Sequence, residues 1–358
     1  MGQDATKRAL PPSAERVELN GTFRGKYRGF AVILVCCALL LAGFAISTIA
    51  LQANGNMQFW NPDFWGNTPP KDEEQPSDEQ NREEATTTAD KVENEKKPLP
   101  EGAVAILSSD LSHRERGRLY IQNETLYAPD VEALLALSLT YSAPTEEPLV
   151  LILHTHSREA YAEAGQSYFE GALGDAVYSD DEGRSVLAVG ETLARQLQSH
   201  GIGSVHCRVV HDSPTLGGAY DRSAETVRAY LAQYPSIRYV IDLHRDAVTG
   251  SGGEMIRAVW EADGEAVAQV MAVVGTDGNG TIFPEWERNL AFALQLREQL
   301  NAGDRGVCRP VFLRNASFHQ ELAPCSILLE IGTAGNSVDE AKRAAKLVGD
   351  ALANLIYE

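Results

Sequence analysis

Residues 148–156 read PLVLILHTH. Leu149 to Leu153 are apolar without alternation, and the run turns polar at His154. Such a strand is buried on both faces, as in a parallel sheet covered by helices. The sequence downstream repeats this logic. SVLAVGETLARQLQSHG (185–201) has helical periodicity and a closing glycine. SVHCRVVHD (204–212) reads as a strand. SAETVRAYLAQYP (223–235) reads as a helix opened by Ser223 as N-cap and closed before Pro235. IRYVIDLHRDA (237–247) is a strand. EMIRAVWEADGEAVAQVMAVVG (254–275) reads as a strand, a turn at Asp263-Gly264 and a second strand. WERNLAFALQLREQLN (286–301) is an amphipathic helix. CSILLEIGTAGNS (325–337) is a strand ending in a polar loop, and residues 338–358 form a closing helix. The alternation predicts an α/β domain over 148–358, with a mostly parallel twisted sheet flanked by helices.

Upstream, residues 101–147 carry shorter mixed patterns, AVAILSSDL (103–111) and RLYIQNETLYAPDVEALLALSL (118–139). They are expected to form a small subregion that packs on the main domain or meets a partner. Residues 52–100 are expected to be a disordered acidic linker. Over 68–98 they hold no aromatic residue and one bulky aliphatic, Val92, too little apolar area to offset chain entropy.

Further upstream, Phe30 to Leu51 read FAVILVCCALLLAGFAISTIAL, with no charge. At about 1.5 Å per residue such a run crosses a hydrocarbon core of roughly 30 Å. Arg24, Lys26 and Arg28 precede it, whereas residues 52–67 contain no basic residue. The positive-inside bias places residues 1–29 in the cytoplasm and the C-terminal domain outside the cell membrane, on a single-pass anchor. Phe59, Trp60, Phe64 and Trp65 suit an outer aromatic belt. A cleaved signal peptide is disfavoured by the long run and the lack of an A-x-A exit.

The whole chain has 358 residues, 44% of them hydrophobic and 23% charged, with a net charge of -19. That charge argues against nucleic acid as the main partner, because phosphate binding needs a basic face. Of five cysteines, Cys36 and Cys37 fall in the apolar run. Cys207, Cys308 and Cys325 form no CxxC pair. A disulfide framework or a cysteine zinc site is therefore not expected.

In open α/β sheets, reactive groups gather at the carboxyl ends of strands. Three predicted strand ends carry ionisable residues. The first is His154-Thr155-His156, followed by Ser157 and Glu159. The second is Asp242-Leu243-His244-Arg245-Asp246. The third is Glu330, embedded in ILLEIG. A carboxylate flanked by Ile327, Leu328, Leu329 and Ile331 costs several kcal/mol unless it is paired, hydrogen-bonded or near a metal. Imidazole plus carboxylate with an open position is the donor set of catalytic zinc. The expected ligands are a histidine of the first strand end, a carboxylate of the following loop, and His244. Glu330 is then the general base and acid. No HExxH, GxSxG or Walker loop is present.

HTHSREAY, SVLAVGETLARQL, GGAYDRSAETV, VIDLHRDA, WERNLAFALQL and LLEIGTAGNS occur in this order. Together they resemble the stage II sporulation protein P family, cell-wall hydrolases of endospore-forming bacteria, over about Gly102 to Glu358. That family in turn resembles the zinc-dependent N-acetylmuramoyl-L-alanine amidases. Their second histidine, in a motif like SIHAN, matches His244, and their catalytic glutamate, in a motif like LVELGFLSN, matches Glu330. Their first histidine matches His154 or His156, of which His156 is nearer the loop. Their ligand glutamate lies just before the first helix, which here puts Glu182, with Asp181 beside it, in that role. The resemblance further implies substrate contacts from Arg245, His319 and Gln320, and leaves Tyr220 and Arg222 as binding or structural residues.

The implied activity is zinc-dependent hydrolysis of peptidoglycan during engulfment, as amidase and also as endopeptidase on peptide cross-links. The implied partners are sporulation proteins D and M of the same stage, and the implied place is the mother-cell membrane, facing the space between the two membranes. Two rival readings are a metal-free domain that binds peptidoglycan and recruits partners, and an anchored metallopeptidase acting on protein. The paired presence of His244 and Glu330 counts against the first rival.

Overall fold

The computed structural model describes residues 99–357, apart from 114–118, 142–146, 172 and 263. The expected anchor at Phe30 to Leu51 and the expected linker up to residue 98 lie outside the described residues. Among the described residues no helix is long and apolar enough to cross a membrane.

The strands are β1 (Val104–Ser109), β2 (Ile121–Asn123), β3 (Val150–Leu153), β4 (Tyr168–Phe169), β5 (Ser204–His206) and β6 (Tyr239–Asp246). They continue with β7 (Met255–Ala262), β8 (Glu265–Ala268), β9 (Val270–Gly275), β10 (Val311–Arg314) and β11 (Cys325–Thr333). The helices are α1 (Val131–Leu135), α2 (Leu173–Ala176), α3 (Val186–Ser199), α4 (Ala219–Gln233), α5 (Trp286–Leu300) and α6 (Val338–Tyr357).

Seven strands form the main sheet in the order β2-β10-β9-β11-β6-β3-β5. Every neighbouring pair is parallel except β9 with β11. The sheet is thus mostly parallel but contains one reversal. β3, β6 and β11 are adjacent and run the same way, so their carboxyl ends share one edge.

Side-chain parity divides the two faces. Val150, Ile152, Tyr239, Ile241, Leu243, Ile327, Leu329 and Ile331 pack with apolar residues of α3, α5 and α6 in one core. Leu151, Leu153 and Val240 pack on the other face with Val227 of α4. Burying each such side chain contributes about 1.5–3 kcal/mol.

A second sheet has the order β4-β1-β7-β8. Residues 101–147 supply strands to both sheets: β1 pairs with β4 and β7, and β2 adds to the main sheet beside β10. The stretch expected to hold two strands, 254–275, holds three. β7 and β8 form a hairpin of the second sheet, and β9 crosses to the first. The crossing point is buried Gln269. Its side chain accepts from Leu111 N at 2.7 Å and donates to Asp110 Oδ1 and Gly306 O, each at 2.7 Å.

α6 starts with a capping box. Ser337 N donates to Glu340 Oε2 at 3.2 Å, and Glu340 N donates to Ser337 Oγ at 3.4 Å. Arg257 of β7 adds an ion pair to Glu340 at 2.5 Å, which ties the helix to the second sheet. α4 begins at Ala219, four residues before the expected cap. Gly218, in left-handed backbone at φ 75, is its N-cap, and Ser223 lies buried inside the helix.

Candidate active site

The same parity that builds the two cores decides which strand-end groups meet. Asp242 and His244 point away from the α3, α5 and α6 core, and so does Glu330, which is the register partner of His244 across β6 and β11. All three are buried. The loop after β3 brings His156 and Glu159 over this edge.

His156, Glu159 and His244 each offer one ligand atom, and these atoms lie within 4.8 Å of one another. Glu159 sits between the imidazoles: Oε1 is 3.4 Å from His156 Nδ1, and Oε2 is 3.3 Å from His244 Nδ1. Arg245 N donates to Glu159 Oε2 at 3.1 Å and fixes the carboxylate. Two donors about 2.1 Å from a tetrahedral zinc are about 3.4 Å apart, so the spacing fits that ion.

Behind His244 stands Asp242. His244 Nε2 is 3.0 Å from Asp242 Oδ1, and the other oxygen, Oδ2, is 3.3 Å from His319 Nε2. Thr155 holds the same carboxylate twice, donating from N to Oδ1 at 2.8 Å and from Oγ1 to Oδ2 at 2.7 Å. His244 and Asp242 meet at an ion-pair distance, while His244 Nε2 has no hydrogen-bond partner among the described residues.

The electrostatics ask for a cation here. Burial acts to raise the Asp242 and Glu159 carboxyls. For Asp242, His244 and then His319 outweigh it; for Glu159, His244 and then Arg245 do. Both carboxyls are held well below the usual range. Burial acts to lower His244, but Asp242 and then Glu159 raise it well above the ordinary imidazole range. A proton thus balances the carboxylates where no metal does. Glu330 is the opposite case. Burial, with Asp246 adding to it, pushes its carboxyl well above the usual range, and Oε2 has no hydrogen-bond partner among the described residues.

A family profile described as Stage II sporulation protein P matches residues 50–353. The chain belongs to the stage II sporulation protein P family. It is 25% identical over 224 residues to Stage II sporulation protein P of Bacillus subtilis (strain 168), covering 60% of this chain and 52% of the relative. The chain therefore spans about half the length of that curated relative. Among solved structures, it is similar to the apo N-acetylmuramyl-L-alanine amidase Ami1 of Mycobacterium abscessus at 15% identity. That match covers 58% of this chain and 96% of the other, with a TM-score of 0.34. For the N-acetylmuramoyl-L-alanine amidase AmiC2 of Nostoc punctiforme the identity is 16%, the coverages are 60% and 97%, and the TM-score is 0.34.

In this family member the carboxylate beside the two imidazoles is Glu159, not Asp181 or Glu182. Asp181 Oδ1 accepts from Gly183 N at 2.9 Å, which opens a short 3-10 turn, and exposed Glu182 pairs with Arg208. The expectation took the carboxylates nearest the first helix. The nearer signal was Glu159, three residues after His156 and already in the strand-end loop.

His154 turns to the α3 side and does not join the cluster. Its Nδ1 donates to Leu243 O at 2.8 Å, and its Nε2 lies 2.9 Å from His206 Nε2. Burial pushes this imidazole down to about 3, so the ring is neutral and Nε2 accepts from His206.

Arg245 and Gln320 are occupied by the fold. The Arg245 guanidinium is buried, donating to Ala160 O at 3.0 Å and Val177 O at 2.7 Å. Gln320 accepts from Gly275 N at 2.9 Å and donates to Val273 O at 3.0 Å. Arg222 likewise donates to His211 O at 2.6 Å and holds its own loop. Two residues that sequence reasoning passed over are Asp242, as the partner of His244, and Ser223. The latter's Oγ lies 2.8 Å from Thr155 Oγ1 and so supports the residue that holds Asp242.

Proposed function

We propose that this member of the stage II sporulation protein P family is a zinc-dependent peptidoglycan hydrolase that cleaves the N-acetylmuramoyl-L-alanine amide bond. The observation that carries the reading is the His156, Glu159, His244 cluster with buried Glu330 as the register partner of His244, its Oε2 without a hydrogen-bond partner among the described residues. Two imidazoles and one carboxylate leave an open coordination position, as catalytic zinc requires. Bound there, zinc would supply Lewis acidity for a water and for the amide carbonyl, and a positive charge that favours ionised Glu330. Glu330 takes the water's proton at Oε2 and returns it to the leaving amine. Asp242 faces His244 Nε2 with its negative charge, and Arg245 N keeps Glu159 aimed. The burial of Glu330 keeps bulk water from competing for that proton.

In the same reading the enzyme acts during engulfment and cuts peptide cross-links as a second activity. It is held at the cell membrane by Phe30 to Leu51, with sporulation proteins D and M of stage II as partners. An anchor plus spacer raises the effective concentration at the wall.

The test is digestion of purified peptidoglycan by the full chain in detergent, with and without chelator, products being identified by mass spectrometry. Release of stem peptides that stops in chelator and in Glu330→Ala is expected. Unchanged muropeptides, or release that persists in both, would sink the reading.

A further inference from the structure

Beside the strand-end loop lies an open cavity of about 670 Å³ that the chemistry above does not use. Clefts of about 300–1,000 Å³ are of the size that holds a small ligand. Its lining includes Glu163, Gln166, Tyr168, Glu170, Tyr178 and Arg184. Gln166 is spent on the loop itself: Oε1 accepts from Glu163 N at 2.8 Å, and Nε2 donates to Tyr168 O at 2.8 Å. Glu163 Oε1 lies 3.7 Å from Arg184 Nη1, with the two side chains 71% and 42% exposed. An ion pair that long and that exposed adds little stability, so a charged ligand parts it readily.

The wall of this cavity is also the wall of the metal-ligand cluster. Glu159 and Tyr178 face each other in an antiparallel bridge, where Cα atoms stand about 4.5–5.5 Å apart. Ala160 N donates to Val177 O at 2.9 Å, and Tyr161 N donates to Arg184 O at 3.0 Å. Arg245, whose N–H holds Glu159, sets its guanidinium 5.5 Å from the centre of the Tyr178 ring. One short segment, 159–161, is thus hydrogen-bonded to the cavity's residues while it carries the cluster's carboxylate. An extended peptide advances about 3.3–3.6 Å per residue. A stem peptide whose first amide lies at the cluster brings its second or third residue to the cavity.

Resting on the amide-hydrolase reading, we propose that this cavity is a substrate subsite for a stem-peptide residue that bears a free ammonium and a free carboxylate on one carbon, the side-chain end of a diamino diacid. Arg184 takes the carboxylate and Glu163 the ammonium, each exchanging its partner in the exposed pair for a ligand group of the same charge. A ligand with a carboxylate alone meets Glu163 and Glu170, and one with an ammonium alone meets Arg184. Only a group with both charges answers both sides of the pair. Tyr168 and Tyr178 offer aromatic surface to its aliphatic part.

The experiment gives the full chain in detergent three muramoyl tetrapeptides. Their third residue is meso-diaminopimelate with a free side-chain end, the same residue as its side-chain carboxamide, or lysine. Turnover is followed by mass spectrometry and binding by calorimetry, and Tm is measured on each variant. For the wild type, KM and Kd are expected to be about three- to tenfold lower for the free diamino diacid than for the other two. The difference falls on KM rather than kcat, because the contact is alike in ground and transition states. Arg184→Gln brings the ratio of free acid to carboxamide to about one, and Glu163→Gln raises KM and Kd for all three. Tm stays at the wild-type value in both. Equal Kd and KM for the three peptides on the wild type overturn the proposal, and so does a discrimination that survives Arg184→Gln. The wild-type comparison needs no variant, so a variant that fails to fold leaves the decision intact. A wild type that cleaves none of the three while calorimetry still ranks them defeats the hydrolase reading and keeps the subsite. One that cleaves all three with equal KM defeats the subsite alone.

Discussion

Glu330 costs this protein stability, and the cost is measurable. Its carboxyl is held well above the usual range, first by burial and then by Asp246. In the metal-free protein the folded state therefore keeps a proton that the unfolded chain releases above about pH 4.5. Stability must fall as pH rises from there, since the folded state binds more protons. Glu330→Gln removes this term. Metal-free Glu330→Gln is expected to be more stable than the wild type at pH 7, with a difference that shrinks toward pH 4 in urea unfolding. An equal or lower stability at pH 7 would contradict the cost of burying this carboxyl. The unusual place of Glu330 was readable from ILLEIG alone, because an acid in an apolar strand is itself the signal. Choosing between His154 and His156 was not. His154 shares parity with Val150 and Ile152 and so faces α3, but no residue of the sequence says which face carries α3. Glu159 was equally hidden, because its role depends on the path of a loop rather than on a periodic pattern.

At the scale of elements, α3 shows how a helix is shaped by the site's underside. Gly190 lies mid-helix, where glycine costs about 1 kcal/mol relative to alanine. A Cβ there would stand 2.7 Å from both His154 Nε2 and His206 Nε2. His154 has no room to yield, since its other nitrogen is bonded to Leu243 O. Gly190→Ala is expected to destabilise the fold by about 1–3 kcal/mol in urea, against its helix propensity. A stabilised variant would show that the two imidazoles yield easily. β3, β5, β6, β11, α3, α5 and α6 were legible in order and type because each carries its own period, but β2 and β10 of the main sheet were not. Nor were the starts of α4 and β9. Ser223 looks like an N-cap but bonds Thr155, and Gln269 looks like one more polar residue in a hairpin but marks the passage between sheets.

At the scale of the molecule, the second sheet went unread because its strands come from three separated stretches and β4 has two residues. Its central strand β1 comes from residues expected to form a satellite. A chain starting at residue 148 would lack β1, the partner of both β4 and β7, and β2, the edge of the main sheet. Such a chain is expected to lose cooperative thermal unfolding, whereas one starting at residue 99 keeps it. A sharp transition for the shorter chain would make residues 101–147 dispensable. The position of β11 has a further consequence, in time rather than space. It is the last strand in the chain, yet it lies between β9 and β6 and carries Glu330. During synthesis His156, Glu159 and His244 are made long before Glu330 is. The sheet stays split until β11 slots in between β9 and β6. Under the proposed function, a nascent chain that has not yet reached β11 is expected to lack hydrolase activity.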